Sequence, residues 1–233
     1  MIIAGISVEI VQKNIKNIHL AVYPPDGHVR LAAPANVNRK TLELYVTSKL
    51  AWIRKQRRKC ANQDRQSPRK YVDRETHYVF GRPYLLRVRE TNDEHRYRAV
   101  RIHGKSYLEL FVRSDDGVEE KADLLKEWYR AELKKELAVL ISKWERIIGV
   151  NARSYRVVSM KTKWGSCNPD LKSININLEL AKKPVGCIEY VLAHELLHLI
   201  ERKHNDAFRQ YLDKRLPKWK SIRAELNALP VAT

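Results

Sequence analysis

The sequence predicts an α+β fold, with a β-rich N-terminal region over residues 1–116 and a mostly helical C-terminal region over residues 117–233. Three observations lead to this prediction. Runs with a hydrophobic period of two dominate the first region, which is typical of half-buried strands. A long apolar stripe at helical spacing opens the second region. The remaining C-terminal patterns are helical apart from a small sheet, so strands and helices are largely segregated along the chain.

Strands surround one helix in the N-terminal region. Alternating residues predict strands around 6–10 and 18–22, and the turn residues of 24–27 then predict a hairpin with the run at 29–31. Apolar residues at spacings of three and four predict a helix at about 39–59. Further strand-like segments occupy residues 77–90, 96–103 and 106–113.

The C-terminal region begins with a helix predicted over residues 118–148, which Gly149 ends in the position that glycine favours. A strand is predicted at 155–160, and strict alternation predicts another at 173–180. The other predicted elements are a loop at 164–170, a helix opened by Pro184, a helix at 205–216 and a short helical tail to Leu226.

Composition and charge limit the class of protein. With 44% hydrophobic and 31% charged residues, the chain has the balance of a globular protein, and no apolar run is long enough to cross a bilayer, so no membrane partner is expected. The three cysteines are odd in number and far apart, which favours a reducing, cytoplasmic location over a disulfide framework. The net charge of +18 favours polyanionic partners such as nucleic acid.

The residues that carry chemistry form the motif His194-Glu195-Leu196-Leu197-His198, or H-E-x-x-H, within a helical pattern. Residues four apart on a helix differ by about 40° around the axis, so both imidazoles project from one face and can grip a single ion. Glu195 lies beside them and can reach a water bound to that ion. Nitrogen ligands and one open position suit one Zn²⁺ per chain. We therefore predict a zinc-dependent hydrolase and favour a metallopeptidase, with Glu195 as catalytic base.

A tetrahedral site of this kind needs a third protein ligand, and His204 is the best candidate. On a straight helix His204 would lie about 80° from His194 on the other side of the axis, so the chain must bend near Arg202-Lys203. Metzincins place a glycine at such a bend, and Glu201 stands there in this chain, which argues against that class. The alternative third ligand is Glu225, a carboxylate as in thermolysin-type enzymes.

Two further segments carry weaker functional signals. The strand at 173–180 precedes the metal helix, where an extended substrate could add as another strand, with Asn175 and Asn177 as candidate substrate contacts. A basic stretch ends the helix of the N-terminal region, and its cations are candidate contacts to nucleic acid. They are Arg54, Lys55, Arg57, Arg58 and Lys59. An ordinary sheet strand and a solvated basic face are the alternative interpretations of these two segments.

Two alternatives to a peptidase stay open at this level. A basic nucleic-acid-binding module could hold a structural zinc and have little or no proteolytic activity, although structural zinc sites usually have four protein ligands. A zinc hydrolase could instead act on a non-peptide amide. The residue that stabilises an oxyanion is also open, with Tyr190, Tyr211 and Lys163 as candidates.

Several segments of the C-terminal region form a pattern that extends beyond the motif. They are Trp164-Gly165-Ser166-Cys167, Ile176-Asn177-Leu178, Tyr190 to Leu199, His204 and Phe208. This pattern resembles the YgjP-like metallopeptidases, a family similar to SprT-like and WLM proteases. The resemblance is strongest from about Lys161 to Lys220, and Ala33-Pro34 and Trp52-Ile53 also fit it. Lys203 and Asn205 depart from the Asn and Ser that the family often has beside the third histidine.

The resemblance implies a zincin-like catalytic domain at the C-terminus, with a small sheet and a metal-binding helix, behind a family-specific N-terminal region. It implies zinc at His194, His198 and His204, a catalytic Glu195, and a protein or peptide substrate. Related SprT-like and WLM proteases act on proteins attached to DNA, so it also implies targets that are associated with nucleic acid.

Overall fold

The computed structural model describes residues 1–23, 26–61 and 69–228. These residues form two compact units, one of residues 1–61 and one of residues 69–228. Each unit has its own apolar core. The mixture of small sheets and six helices confirms the predicted α+β class. None of the described helices has the length and apolar character needed to cross a membrane.

The first unit packs a four-stranded sheet against two helices. Its strands are β1 (Ile2–Ile3), β2 (Ile6–Lys13), β3 (His19–Tyr23) and β4 (His28–Pro34), in the order β1-β2-β4-β3. Strands β3 and β4 pair antiparallel, as the predicted hairpin requires, while Pro24 and Pro25 of its turn lie outside the described residues. The single helix expected at 39–59 is two helices, α1 (Arg39–Ser48) and α2 (Leu50–Ala61), which divide at Lys49.

The second unit begins with a four-stranded sheet. Its strands are β5 (Thr76–Val79), β6 (Arg82–Glu90), β7 (Val100–His103) and β8 (Tyr107–Val112), in the order β5-β6-β8-β7. One face of the sheet packs on helix α3 (Val118–Ile148), which has the bounds that the sequence predicts. The sequence places these strands in the N-terminal region, before a boundary near 116. In the structure they share the core of the C-terminal unit, so the two units divide between residues 61 and 69.

A three-stranded sheet completes the second unit. Its strands are β9 (Ser154–Val158), β10 (Gly165–Asn168) and β11 (Ser173–Asn177), in the order β10-β11-β9. The chain then forms a 3-10 helix (Leu178–Lys182) and the helices α4 (Val185–Leu197), α5 (Asp206–Arg215) and α6 (Trp219–Ala228). Strand β10 corrects the expectation of a loop at 164–170. It pairs antiparallel with β11 across the turn at Pro169-Asp170, a turn composition that signals a hairpin.

Candidate metal centre

Helix α4 carries the H-E-x-x-H motif through the core of the second unit. Most of its side chains are buried, among them Ile188, Leu192 and Leu196, so the packing of α4 is fixed on nearly all sides. The helix ends at Leu197, with His198 as its C-terminal cap. This end comes before the bend that the sequence places near Arg202-Lys203, and the chain then turns back toward the helix.

This turn brings the third histidine beside the other two. Nε2 of His204 lies 2.9 Å from Nε2 of His194 and 3.1 Å from Nε2 of His198. Together the three residues form the one group among the described residues that could hold a metal ion, with ligand atoms within 4.8 Å of one another. Glu225, the alternative third ligand, lies on α6 and is not part of this group.

Surrounding groups orient the imidazoles. Nδ1 of His198 lies 3.0 Å from the carbonyl oxygen of Glu201. A proton on Nδ1 donated to that carbonyl leaves Nε2 with its lone pair toward the centre, as a metal ligand requires. The ring of Phe208 lies about 5 Å from all three imidazole rings, with centroid distances of 5.0, 4.9 and 4.9 Å. Asn205 caps α5 by accepting from the backbone N–H of Phe208 at 3.0 Å, which positions that ring.

The donor set fits a divalent metal such as zinc. Ligand atoms around a tetrahedral zinc ion are about 3.3 Å apart, close to the separations seen here, and three protein ligands leave a fourth position open. Burial lowers the pKa of His194 to about 3, with the neighbouring His198 and His204 adding to the effect. Burial also lowers the pKa of His204. Neutral imidazoles whose Nε2 atoms face one another are stabilised by a shared cation, whereas their lone pairs otherwise repel.

Glu195 is the buried carboxyl group of the site, with 8% of its surface exposed. Burial raises its pKa to about 7, and the positive charge of Lys163 opposes that increase. A cation held by the histidines would lower the pKa again, because a nearby positive charge favours the carboxylate. The protonation of Glu195 therefore depends on the charge that the histidines hold.

A family model described as "YgjP-like, metallopeptidase domain" matches residues 16–229. The chain belongs to the YgjP-like metallopeptidase family. The family supports a peptidase, which acts on proteins or peptides. A solved structure, the metallopeptidase zymogen abylysin of Pyrococcus abyssi, matches with a TM-score of 0.36 and 20% sequence identity over 38% of this chain and 90% of that one. No curated protein sequence matches.

The YgjP-like domain does not present β11 as a substrate edge. Strand β11 lies between β10 and β9, and both of its edges are paired. Asn177 is fully buried and donates its amide hydrogens to the carbonyls of Met160 and Lys163 at 2.8 and 2.7 Å. Asn175 donates to Oγ of Ser166 at 3.2 Å. Their side chains thus have internal partners, and the two outer edges of this sheet belong to β10 and β9.

The candidates for oxyanion stabilisation differ in their surroundings. Tyr211 donates its hydroxyl to the carbonyl of Ile147 at 3.0 Å and so has a structural partner. Tyr190 packs edge-on against His194, with 5.8 Å between the ring centroids, and stacks on Trp219. Lys163 is exposed and acts electrostatically on Glu195.

The basic candidates lie on α2, in the other unit. Arg54, Lys55, Arg57 and Arg58 are exposed, and the side chain of Lys59 lies outside the described part of the structure.

Sequence reasoning missed two residues of the site, Gly165 and Phe208. Gly165 lies on β10 against Glu195, and Phe208 lines the three histidines. Both stand in the segments that resemble the family, which is the signal that could have identified them.

Proposed function

We propose that this chain is a zinc endopeptidase in which His194, His198 and His204 hold the metal and Glu195 is the general base. One observation carries the proposal: the ligand atoms of three histidines lie within 4.8 Å of one another, and the buried carboxyl group of Glu195 directly follows the first of them on α4. The family membership supports peptide bonds as the substrate class. The three-ligand set supports a catalytic metal over a structural one, because structural zinc sites are usually closed by four protein ligands.

When bound, zinc supplies a Lewis acid that polarises the substrate carbonyl and lowers the pKa of a water to about 7. The protein contributes the proton transfers. The Glu195 carboxylate accepts a proton from the attacking water and then delivers it to the nitrogen of the leaving amine. Burial of Glu195, with β10 packed against its side chain at Gly165, limits its contact with bulk water.

We propose that the substrate pairs with the unpaired edge of β10. This strand passes beside Glu195 at Gly165, and its outer edge has no strand partner among the described residues. Strand addition would bind the substrate through main-chain hydrogen bonds, with little dependence on the side chains of the substrate. Asn175 and Asn177, the sequence candidates for substrate contact, would then affect substrate binding only indirectly, by holding the sheet in place through their internal hydrogen bonds.

We propose further that nucleic acid brings the enzyme to its substrates. The net charge of +18 and the exposed cations of α2 support this part of the proposal. A cytoplasmic location is proposed on the three cysteines, Cys60, Cys167 and Cys187, all of which are free.

The test is hydrolysis of casein by full-length protein that has been loaded with zinc, stripped with a chelator, or stripped and reloaded. Cleavage should require zinc and return on reloading, and single-stranded or duplex DNA should increase the rate. Protein that holds zinc but cleaves neither casein nor itself, with or without DNA, would count against the peptidase.

A further inference from the structure

The sheet of β5 to β8 has a second face, opposite the one that packs on α3. Side chains of β6, β8 and β7 alternate between the two faces, and the outer set is basic. We call it the arginine face. It includes Arg87 and Arg89 of β6, Tyr107, Glu109 and Phe111 of β8, Arg101 and His103 of β7, and Tyr78 of β5.

Strand register gathers three arginines around one carboxylate on the arginine face. Arg87 and Arg101 both stand opposite Glu109, from the strands on either side of it. The Glu109 side chain is 6% exposed, and its carboxylate lies 3.0 Å from Nε of Arg101 and 3.8 Å from Nε of Arg89. One carboxylate neutralises one of the three guanidinium groups, so the face keeps a positive charge.

Aromatic rings order two of these guanidinium groups. Cζ of Arg87 lies 3.2 Å from the ring centroid of Tyr107, and Cζ of Arg101 lies 4.7 Å from that of Phe111. Stacked guanidinium groups lose less conformational freedom when they bind an anion, and their flat forks match phosphate oxygens. The Arg89 and Arg101 side chains are about half exposed, at 50% and 57%, so their donors can reach a ligand.

Tyr78 adds an exposed aromatic ring to the arginine face. It lies on the edge strand β5 and is 43% exposed. Its backbone is anchored, because its carbonyl accepts from the hydroxyl of Tyr129 at 2.8 Å. Cationic groups that follow a backbone, together with an aromatic ring on which a base can stack, are how proteins bind single strands without reading sequence.

We infer that the arginine face binds single-stranded nucleic acid, with phosphates on its arginines and a base against Tyr78. The inference rests on the nucleic-acid part of the proposed function and deepens it. Binding on the arginine face does not depend on hydrolysis, and the face lies in the same unit as the three histidines.

The experiment measures the affinity of full-length protein for a fluorescent twenty-residue oligothymidylate at several salt concentrations. All proteins carry Glu195→Gln to prevent self-cleavage. Arg87→Gln with Arg89→Gln leaves Arg101 on the buried Glu109 and so keeps that pair. This double variant should bind about 10-fold more weakly, and the slope of log affinity against log salt concentration should fall by about 1.4, the value for two lost phosphate contacts.

Tyr78→Ala should weaken single-strand binding about five-fold and leave duplex binding unchanged.

The matched control is Lys126→Gln with Lys134→Gln on α3, which removes the same charge from exposed positions. It should stay within about two-fold of the parent. A second comparison neutralises Arg54, Lys55, Arg57 and Arg58 on α2 and should leave the effect of the arginine-face variants intact. Equal melting temperatures check that each variant is folded.

Three results would overturn the inference: arginine-face variants that bind like the control, competition by polyglutamate as strong as by oligothymidylate, or tighter binding of duplex than of single strand. Hydrolysis does not enter this readout. A protein that shows these binding effects but never cleaves casein would keep the inference and lose the hydrolytic part of the proposed function.

Discussion

Gly165 of β10 lies directly against Glu195 of α4. A Cβ atom on Gly165 would stand 2.8 Å from both Cγ and Oε1 of Glu195, and 2.9 Å from Cγ1 of Val191. These distances are shorter than van der Waals contact, so the strand can approach the helix only because residue 165 has no side chain. Glu195 and the strand β10, whose outer edge is unpaired among the described residues, are thereby held together.

Gly165→Ala should reduce peptide hydrolysis about 100-fold, because a displacement of the order of 1 Å at a catalytic group has that effect. The added methyl must push Glu195 or β10 aside, while the three histidines stay in place. Zinc content should therefore be unchanged, as measured by metal analysis on the same sample.

Gly186→Ala is the control for this variant. Gly186 lies on α4, the helix that carries Glu195, and a Cβ atom there would meet no atom within 4 Å. It should keep full activity. Equal activity of the Gly165→Ala and Gly186→Ala proteins would show that the contact with Glu195 has no catalytic consequence.

His204→Ala should lower zinc affinity by at least about 100-fold, since it removes one of three ligands and leaves the others too few for a stable site. Because His204 is exposed, the protein should remain folded. Glu225→Gln, at the competing candidate, should still bind one zinc per chain. Competition with a chromophoric chelator gives both affinities, and the reverse ranking would assign the third ligand to Glu225.

Asn177→Ala should reduce the free energy of unfolding by about 2–4 kcal/mol, because it leaves two carbonyl groups without their donors at a fully buried position. Those carbonyls, of Met160 and Lys163, belong to the segment that leads into β10. Asn175→Ala, which removes one partly exposed bond to Ser166, should cost less than about 1 kcal/mol. Urea denaturation measures both. A larger loss at Asn175, or full stability of Asn177→Ala, would contradict the structural role assigned to Asn177.

His77 of β5 should make stability depend on pH. Burial lowers its pKa to about 4, with Arg69 and Lys182 acting in the same direction and Glu75 opposing them. In the unfolded chain its pKa is about 6.5, so between pH 6.5 and 4 the unfolded chain binds more protons. Its contribution to stability is therefore complete above about pH 6.5 and is lost as the pH falls toward 4.

The expected loss from His77 between pH 7 and pH 5 is about 2 kcal/mol. Glu75 does not contribute in this window, because its pKa is lowered from 4.5 and its effect is lost only at more acidic pH. Urea denaturation of the wild type and His77→Phe at pH 7, 6 and 5 isolates the effect. Parallel pH dependence of the two proteins would show that His77 does not titrate as argued.

The elements with a long periodic pattern were the ones that sequence could predict. The bounds of α3 follow from its apolar stripe and from Gly149, which has a φ of 77° and ends the helix. The three histidines followed from spacing and chemistry. Strand β10 has four residues, too few for a periodicity to be visible, and its glycine and turn composition favoured a loop.

The position of a strand within its sheet, and the unit to which the strand belongs, could not be predicted from local sequence patterns. An alternating segment such as Ser173–Asn177 reads the same at the centre of a sheet as at its edge, so only the pairing with both β10 and β9 distinguishes them. The strands of residues 76–112 likewise would have the same alternating sequence pattern in the core of either unit. The structure assigns them to α3 because their inner faces pack on its apolar stripe.

The zinc content and the casein-cleavage rate of Glu195→Gln, determined on one preparation, separate metal binding from catalysis. The control is Glu189→Gln on the same helix. The Glu189 carboxylate accepts hydrogen bonds from Lys143 and Trp144 of α3. If Glu195 is the general base, both proteins should hold one zinc per chain, the control should cleave casein at the wild-type rate, and Glu195→Gln should lose at least about 100-fold in rate. Cleavage by zinc-loaded Glu195→Gln at the wild-type rate would contradict that role.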